Sequence, residues 1–168
     1  MDLKAQIDRE KLPKHVAVIM DGNGRWAKKK GNARIFGHQH GVESVRQVTE
    51  AAGELGIDYL SLYAFSTENW NRPKGEVDAL MGLLVKAIQS ETENLHKNKV
   101  KLTVIGEISD LSPSVLKPLQ NTIDYTSKNT GLNLVIAVSY SGKWEITSAV
   151  KSIIKDVNAG KLKPENID

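Results

Sequence analysis

Apolar residues along this chain fall into two alternating patterns. Four short runs, Val16–Met20, Tyr59–Phe65, Lys101–Ile105 and Leu132–Tyr140, are almost continuously apolar. Such runs mark strands buried on both faces, as in a parallel sheet. Between them the spacing changes to steps of three and four: Val42, Val45, Val48, Ala52 and Leu55; then Val77, Leu80, Met81, Leu84, Val85 and Ile88; then Ile146, Ala149, Val150, Ile153, Ile154 and Val157. Each set is a helical stripe that needs an apolar surface to pack on. The stripes read most simply as core, and part of one could line an apolar ligand tunnel. Ser112-Pro113 predicts a further helix start, with Ser as cap and Pro in the first turn, and Gly131 marks its end after a run to about Asn129. Alternation of this kind predicts a single α/β domain, a mostly parallel sheet flanked by helices. Ligands of open parallel sheets bind beyond the carboxyl ends of the strands, so the chemistry is sought there.

Composition narrows the function classes. The chain has 168 residues, one domain's length, with 40% hydrophobic and 26% charged residues. It has no cysteine, which excludes disulfides, thiolate nucleophiles, iron–sulfur clusters and cysteine zinc sites. With 23 Lys+Arg against 20 Asp+Glu the net charge is +3, which makes no case for nucleic acid. No apolar run approaches the length of a membrane span. Residues Met1 to His15 are charged throughout and lack the apolar stretch of a signal peptide, so a cytoplasmic protein is expected.

The first strand runs into Asp21-Gly22-Asn23-Gly24-Arg25-Trp26. Two glycines allow a tight turn whose backbone N–H groups can cradle a phosphate. Arg25, Lys28, Lys29, Lys30 and Arg34 follow with no acid among residues 25–34, a local positive field suited to a small polyanion. A carboxylate beside such a cradle repels the ligand unless a cation lies between them, so Asp21 reads either as a Mg²⁺ ligand of a diphosphate site or as a cap of the next helix. The second strand runs into Ser66-Thr67-Glu68-Asn69-Trp70-Asn71-Arg72-Pro73. There Arg72 could hold phosphate and Trp70 an apolar ligand, or the segment is a capped turn before a helix starting near Gly75. The fourth strand runs into Ser139-Tyr140-Ser141-Gly142-Lys143, which reads as an ordinary strand-to-helix turn. His38 and His40 do not share a helix face and make no metal pair. His38 can donate to a phosphate, while His15 and His96 read as structural or solvated.

Gly22-Asn23-Gly24-Arg25-Trp26-Ala27 also satisfies the loose dinucleotide fingerprint G-x-G-x-x-A. Against a nucleotide-dependent oxidoreductase stand Asp21 immediately before the glycines, the absence of an acid closing a second strand about 20 residues on, and the basic run Lys28-Lys29-Lys30-Gly31 where a helix packed on the sheet is needed. No P-loop pattern occurs.

Three segments carry a resemblance. His15-Val16-Ala17-Val18-Ile19-Met20-Asp21-Gly22-Asn23-Gly24-Arg25-Trp26-Ala27, Gly37-His38-Gln39-His40-Gly41 and Leu62-Tyr63-Ala64-Phe65-Ser66-Thr67-Glu68-Asn69-Trp70-Asn71-Arg72-Pro73 closely resemble the cis-prenyltransferases, bacterial undecaprenyl diphosphate synthases above all. The similarity continues through Asn129-Thr130-Gly131-Leu132. It implies a Mg²⁺-dependent, homodimeric transferase that adds isopentenyl diphosphate to an allylic diphosphate, usually farnesyl diphosphate. The product implied is the long-chain lipid carrier of cell-wall sugars, which partitions to the membrane, so the enzyme is cytoplasmic with peripheral membrane association.

By the same resemblance Asp21 is the essential carboxylate and Mg²⁺ ligand. Gly22, Asn23, Gly24 and Arg25, with Arg34 and His38, hold the allylic diphosphate. Ser66, Thr67, Glu68, Asn69 and Arg72 form a second polar wall, and Trp26 and Trp70 contact substrate. Asn69 holds the family's proton-accepting position. A neutral amide is a very weak base, so Asn69 is read as orienting the homoallylic diphosphate or a water while a substrate phosphate oxygen takes the proton. An apolar tunnel is expected along the helix after Pro73 and the strand from Leu132, with Ala64 leaving room for a long product.

Two departures from the family pattern stand out. Ser139, Ser141 and Lys143 occupy positions where the family usually has Asn, Gly and Arg, and Lys lacks the planar fork of Arg. Beyond Lys143 the sequence matches none of the family's later elements: no isopentenyl-diphosphate arginines follow, and no second Mg²⁺-binding glutamate. The expectation is therefore a single domain over residues 1–168 that is incomplete at its C-terminal end, and a chain inactive alone; a non-catalytic prenyl-diphosphate-binding subunit is the alternative.

Overall fold

The computed structural model describes residues 6–167. Its centre is a four-stranded sheet of β1 (His15–Ile19), β2 (Tyr59–Ser66), β3 (Lys101–Ile105) and β4 (Asn133–Tyr140), in the order β1-β2-β4-β3. All three pairings are parallel, as the continuous apolar runs predict. Around it lie α1 (Asn23–Lys29), α2 (Arg34–Leu55), α3 (Lys74–Lys97), α4 (Pro113–Thr126) and α5 (Gly142–Asn158), with a 3-10 turn at Thr67–Asn71.

Register places Ile19 beside Tyr63, Tyr63 beside Ala137 and Ile105 beside Ala137. The segments starting at Asp21, Ser66 and Ser141 thus leave from one edge of the sheet. Beyond that row β2 and β4 continue through two compensating irregularities. The pairing passes from Tyr63–Ala137 to Phe65–Val138, so Ala64 is extra on β2; it then passes to Ser66–Tyr140, so Ser139 is extra on β4. Ser139 takes the left-handed conformation, φ 51°, uncommon for a residue other than glycine.

The core joins Leu60, Leu62 and Phe65 of β2 and Leu134, Ile136 and Val138 of β4 to Met81 and Ile88 of α3 and Val115 and Leu119 of α4. The central strands are buried as expected. β1 is not: it is an edge, its residues alternate between exposed and half-buried, and Ile19 is 76% exposed. Nor is the α5 stripe covered among the described residues, beyond the half-burial of Ile153 and Val157. No residue of α5 is buried, and Ile146, Val150 and Ile154 are 69%, 50% and 54% exposed.

Other expectations shift locally. Residues through Lys29 are helical, but α1 buries Gly24 and Ala27 against α2 and not against the sheet, so the glycine turn does not open the sheet-packed helix of a dinucleotide fold. Ser112 precedes α4 without capping it; its hydroxyl pairs with Ser114. The helix ends at Thr126, and Gly131 serves a close approach instead: a Cβ there would lie 2.8 Å from the Lys99 carbonyl oxygen.

Candidate active site

Asp21 follows β1 directly. Its carboxylate accepts from the Gly22 N–H and from Arg25 Nη2 at 2.8 Å. The backbone bond to Gly22, then Arg25, holds its pKa below the usual carboxylate value. Gly22, not Asp21, is the cap of α1; it has φ 92° and makes no side-chain cap bond. The capping alternative for Asp21 is therefore set aside, and an ionised, exposed carboxylate remains.

α1 and α2 pack closely because glycines face Asn23. A Cβ on Gly37 would lie 2.0 Å from the Asn23 carbonyl oxygen, and one on Gly41 would lie 2.7 Å from its Nδ2. Gly24 gives room to Arg34, whose Nε would be 2.9 Å from a Cβ there. The glycines flanking His38 thus set the distance between the turn after β1 and the first turns of α2.

The segment after β2 is a capped 3-10 turn. Ser66 and Asn69 form a capping box in which the Ser66 N–H donates to Asn69 Oδ1 at 3.1 Å. Asn69's oxygen is thereby committed to the backbone, which leaves its amide nitrogen to offer a substrate and fits an orienting role better than a proton-accepting one. Trp70 packs edge-on against Phe65 at 5.0 Å and donates its Nε1–H to Ser139 at 2.9 Å. Thr67 donates to Ser141 at 2.9 Å, and Ser141 also caps α5 through the Trp144 N–H. Glu68 is lowered chiefly by hydrogen bonds, its own backbone first and Ser66 next, with Lys143 adding a smaller pull. The turn at Ser139–Lys143 is a strand-to-helix turn, as read, and it braces the loop after β2.

Arg72 donates to Glu76 at 2.8 Å, and Glu76 also pairs with Arg34 at 3.6 Å. Glu76 had no role in the sequence reading, although its i, i+4 spacing from Arg72 is a recognisable ion-pair signal. His38 lies among these groups. Its Nε2 is buried without a hydrogen-bond partner. Burial first, then Arg72 and Arg34, push its pKa below 6.5, with Glu76 opposing. A neutral imidazole with an unpaired ring nitrogen beside two guanidiniums is suited to an anionic oxygen.

From here a cavity of about 590 Å³ runs between α2, α3 and the sheet. Asn23, His38, Asn69 and Arg72 line its polar end. Val42, Val45, Ala64, Leu84, Ile88 and Ile136 are among its apolar walls. Residues of α3 and β4 line it, where the resemblance implies an apolar tunnel, and so do residues of the α2 stripe, which reads as core in the sequence. Trp26 stands apart from this lining, 42% exposed and stacked on Phe36 at 6.1 Å with His40 nearby. Gly22, Gly24, Arg25, Arg34, Ser66, Thr67, Glu68 and Trp70 also lie outside the lining and frame its polar end through the bonds described. His15, bonded to Ser61 at 2.8 Å, and His96, against the Tyr125 ring at 4.5 Å, are structural.

No helix among the described residues is long and apolar enough to cross a membrane, and none of their His, Asp and Glu side chains form a group of three able to hold a metal unaided. Mg²⁺ commonly keeps one or two carboxylates and takes its other ligands from substrate phosphates and water. The single ionised Asp21 fits an ion of that substrate-bridged kind.

Residues 19–168 match the Prenyltransf family of undecaprenyl diphosphate synthases. An isoprenyl transferase from Chlorobaculum tepidum is 53% identical over 94% of this chain and 59% of its own length. A (2E,6E)-farnesyl-diphosphate-specific ditrans,polycis-undecaprenyl-diphosphate synthase from Pasteurella multocida is 47% identical over 97% of this chain and 68% of its own. The crystal structure of lavandulyl diphosphate synthase from Lavandula x intermedia, in complex with dimethylallyl diphosphate, superposes with a TM-score of 0.90 at 34% identity, over 93% of this chain and 67% of that one. The chain thus spans 59% to 68% of these curated relatives. The motifs at Asp21, His38 and Ser66–Arg72, the parallel sheet that gathers them and the match over residues 19–168 establish that this chain belongs to the undecaprenyl diphosphate synthase family of prenyltransferases.

Proposed function

We propose that this chain carries the allylic-diphosphate site of a Mg²⁺-dependent cis-prenyltransferase, which condenses isopentenyl diphosphate onto farnesyl diphosphate to give a long-chain polyprenyl diphosphate such as undecaprenyl diphosphate. One observation carries the reading: a single cavity is polar and basic where Asn23, His38, Asn69 and Arg72 meet, and apolar from Val42 to Ile88. A molecule with a charged head and a hydrocarbon tail matches both ends.

In this reading the glycine turn, Arg34, Arg72 and neutral His38 hold the diphosphate head. When the allylic carbon–oxygen bond breaks, negative charge collects on the departing diphosphate, and these donors stabilise it in place. The isopentenyl double bond adds to the allylic carbon, and the resulting cation loses a proton to a diphosphate oxygen. Asn69 orients the homoallylic head group through its amide nitrogen. Mg²⁺, held by Asp21 with substrate phosphate oxygens, would supply charge neutralisation for the leaving group. The tail lies along α2 and α3, and Ala64 keeps that path wide. The same reading takes the enzyme as a cytoplasmic homodimer in the bacterial cell-wall pathway, with a product that passes to the membrane.

Calorimetric titration of the chain with farnesyl diphosphate tests the proposal. Binding is expected in the presence of Mg²⁺, weakened at least tenfold by chelation or by Asp21→Asn, and none is expected for NAD. NAD binding, or no farnesyl diphosphate binding, overturns it. Incorporation of labelled isopentenyl diphosphate by the same preparation separates a catalyst from a binding subunit; the presence of Asp21, Asn69 and Arg72 together favours the catalyst.

A further inference from the structure

The loop after β2 is tied at two points to the turn after β4. Thr67 donates to the Ser141 hydroxyl, and the Trp70 indole Nε1–H donates to that of Ser139, each at 2.9 Å. Trp70 stands in the chain between Asn69 and Arg72, which line the polar end of the cavity, and it also packs edge-on against Phe65 of β2. Where the indole sits therefore sets where its two polar neighbours stand.

The Trp70 tie depends on which way a hydroxyl points. A serine hydroxyl has one proton and two lone pairs, and it turns about its C–O bond. It accepts the indole proton only while its own proton is directed elsewhere. Asn, which the family usually has at this position, offers an oxygen that only accepts; Ser139 needs a third group. Ser139 is fully buried, so bulk water does not take its proton. Asp110 does: its Oδ2 accepts from the Ser139 hydroxyl at 3.2 Å.

Asp110 ends the 3-10 turn Ile108–Asp110, between β3 and α4. The same connector is fixed to the β4 bulge by its backbone. The Glu107 N–H donates to the Ser139 carbonyl oxygen at 3.1 Å. Gly106, with φ 118°, lies so close to β4 that a Cβ would stand 2.0 Å from the Val138 carbonyl oxygen. Asp110 is exposed and makes no ion pair among the described residues. Its charge stays hydrated while one oxygen holds the serine proton, so the contact carries no cost of a buried charge.

We propose that Asp110 is a positioning residue for the loop after β2: by taking the Ser139 proton it leaves a lone pair of that hydroxyl for the Trp70 indole, and so sets Asn69 and Arg72 at the polar end of the cavity. That this loop binds a diphosphate rests on the proposed function.

Two measurements on Asp110→Ala, Asp110→Asn and a neighbouring control, Ser109→Ala, test it. The first is the proton–nitrogen resonance of the Trp70 indole, identified by its loss in Trp70→Phe. In Asp110→Ala it should shift upfield and exchange faster with solvent, because the hydroxyl is free to turn its proton toward the indole. Asp110→Asn keeps an acceptor oxygen and should hold the parent resonance, as should Ser109→Ala, whose hydroxyl bonds Glu107 instead. The second is calorimetric titration with farnesyl diphosphate and Mg²⁺. Affinity should fall about fivefold in Asp110→Ala, the scale of one net hydrogen bond, and match the parent in the other two. An unmoved indole resonance in Asp110→Ala overturns the proposal even if its melting temperature falls, since Asp110 is then only structural. So does an Asp110→Asn that behaves like Asp110→Ala, or a shifted indole with parent affinity. Should the parent bind no farnesyl diphosphate, the proposed function fails, while the indole resonances still decide whether Asp110 sets the loop.

Discussion

The indole Nε1–H of Trp70 donates to the hydroxyl oxygen of Ser139 at 2.9 Å, and that hydroxyl donates in turn to Asp110 Oδ2 at 3.2 Å. Ser139 is fully buried and sits at the bulge of β4 with φ 51°. The loop that frames the site after β2 is therefore anchored to a strand irregularity just past the end of the regular ladder. Ser139→Ala should cost about 1–3 kcal/mol, since it leaves the indole N–H and the carboxylate without their shared partner. Trp70→Phe on top of Ser139→Ala should add less than it costs alone. Urea unfolding of the two single variants and the double variant measures the coupling; strictly additive costs would contradict the arrangement.

Gly37 controls the approach of α1 to α2. Adding a methyl group would place it 2.0 Å from the Asn23 carbonyl oxygen, so Gly37→Ala must push the helices apart. We expect a loss of roughly 1–3 kcal/mol, the scale of overpacking, together with weaker diphosphate binding as Asn23 moves. Gly82→Ala is the control: nothing lies within 4 Å of its added Cβ, it is inside α3, and it should gain about 0.5–1 kcal/mol of stability. Thermal melts of both report the contrast.

The sign of the His38 effect on stability follows from its lowered pKa. Below 6.5 the unfolded chain takes up a proton that the folded site resists, so stability is complete above pH 6.5 and declines as pH falls toward the lowered value. His38→Gln should flatten that limb of a stability-against-pH profile. In Glu76→Gln the opposing negative charge is gone, so the limb should begin at the same pH and extend further into acid. Identical profiles for the parent and His38→Gln would show that the imidazole is not held neutral.

Ala64 is the extra residue of the β2 bulge and faces the cavity. Ala64→Leu should fill part of the tail's path. Under the proposed function the products of prenyl transfer become shorter. Thin-layer chromatography of the products gives the check, and an unchanged ladder would argue against a tail at this wall.

The position of the candidate site was legible in the sequence. Asp21 and Arg72 stand out because parallel strands are continuous apolar runs, and the polar residues that follow such runs share one end of the sheet; Asn69 is singled out only by the resemblance. The misreadings concern quantities that a local pattern does not contain. Val16, Val18 and Ile19 look like a buried strand, yet burial depends on having neighbours on both sides, and the order β1-β2-β4-β3 gives β1 only one among the described residues. Val42 and Val45 look like core, and a cavity wall has the same residue types as a core. Glu76 is inconspicuous in the sequence because one carboxylate on a helix full of charges stands out only when the fold sets two arginines around it.

α5 begins at a well-made cap, with Ser141 accepting from the Trp144 N–H and Tyr140 donating to Glu145 at 2.6 Å, yet none of its residues is buried. A helix anchored at its first turn and largely bare along its apolar stripe draws little free energy from its surroundings. Its amides should trade their protons for deuterium well ahead of those of α3 or β4, fraying from Asn158 back toward Ser141, long before the sheet loosens.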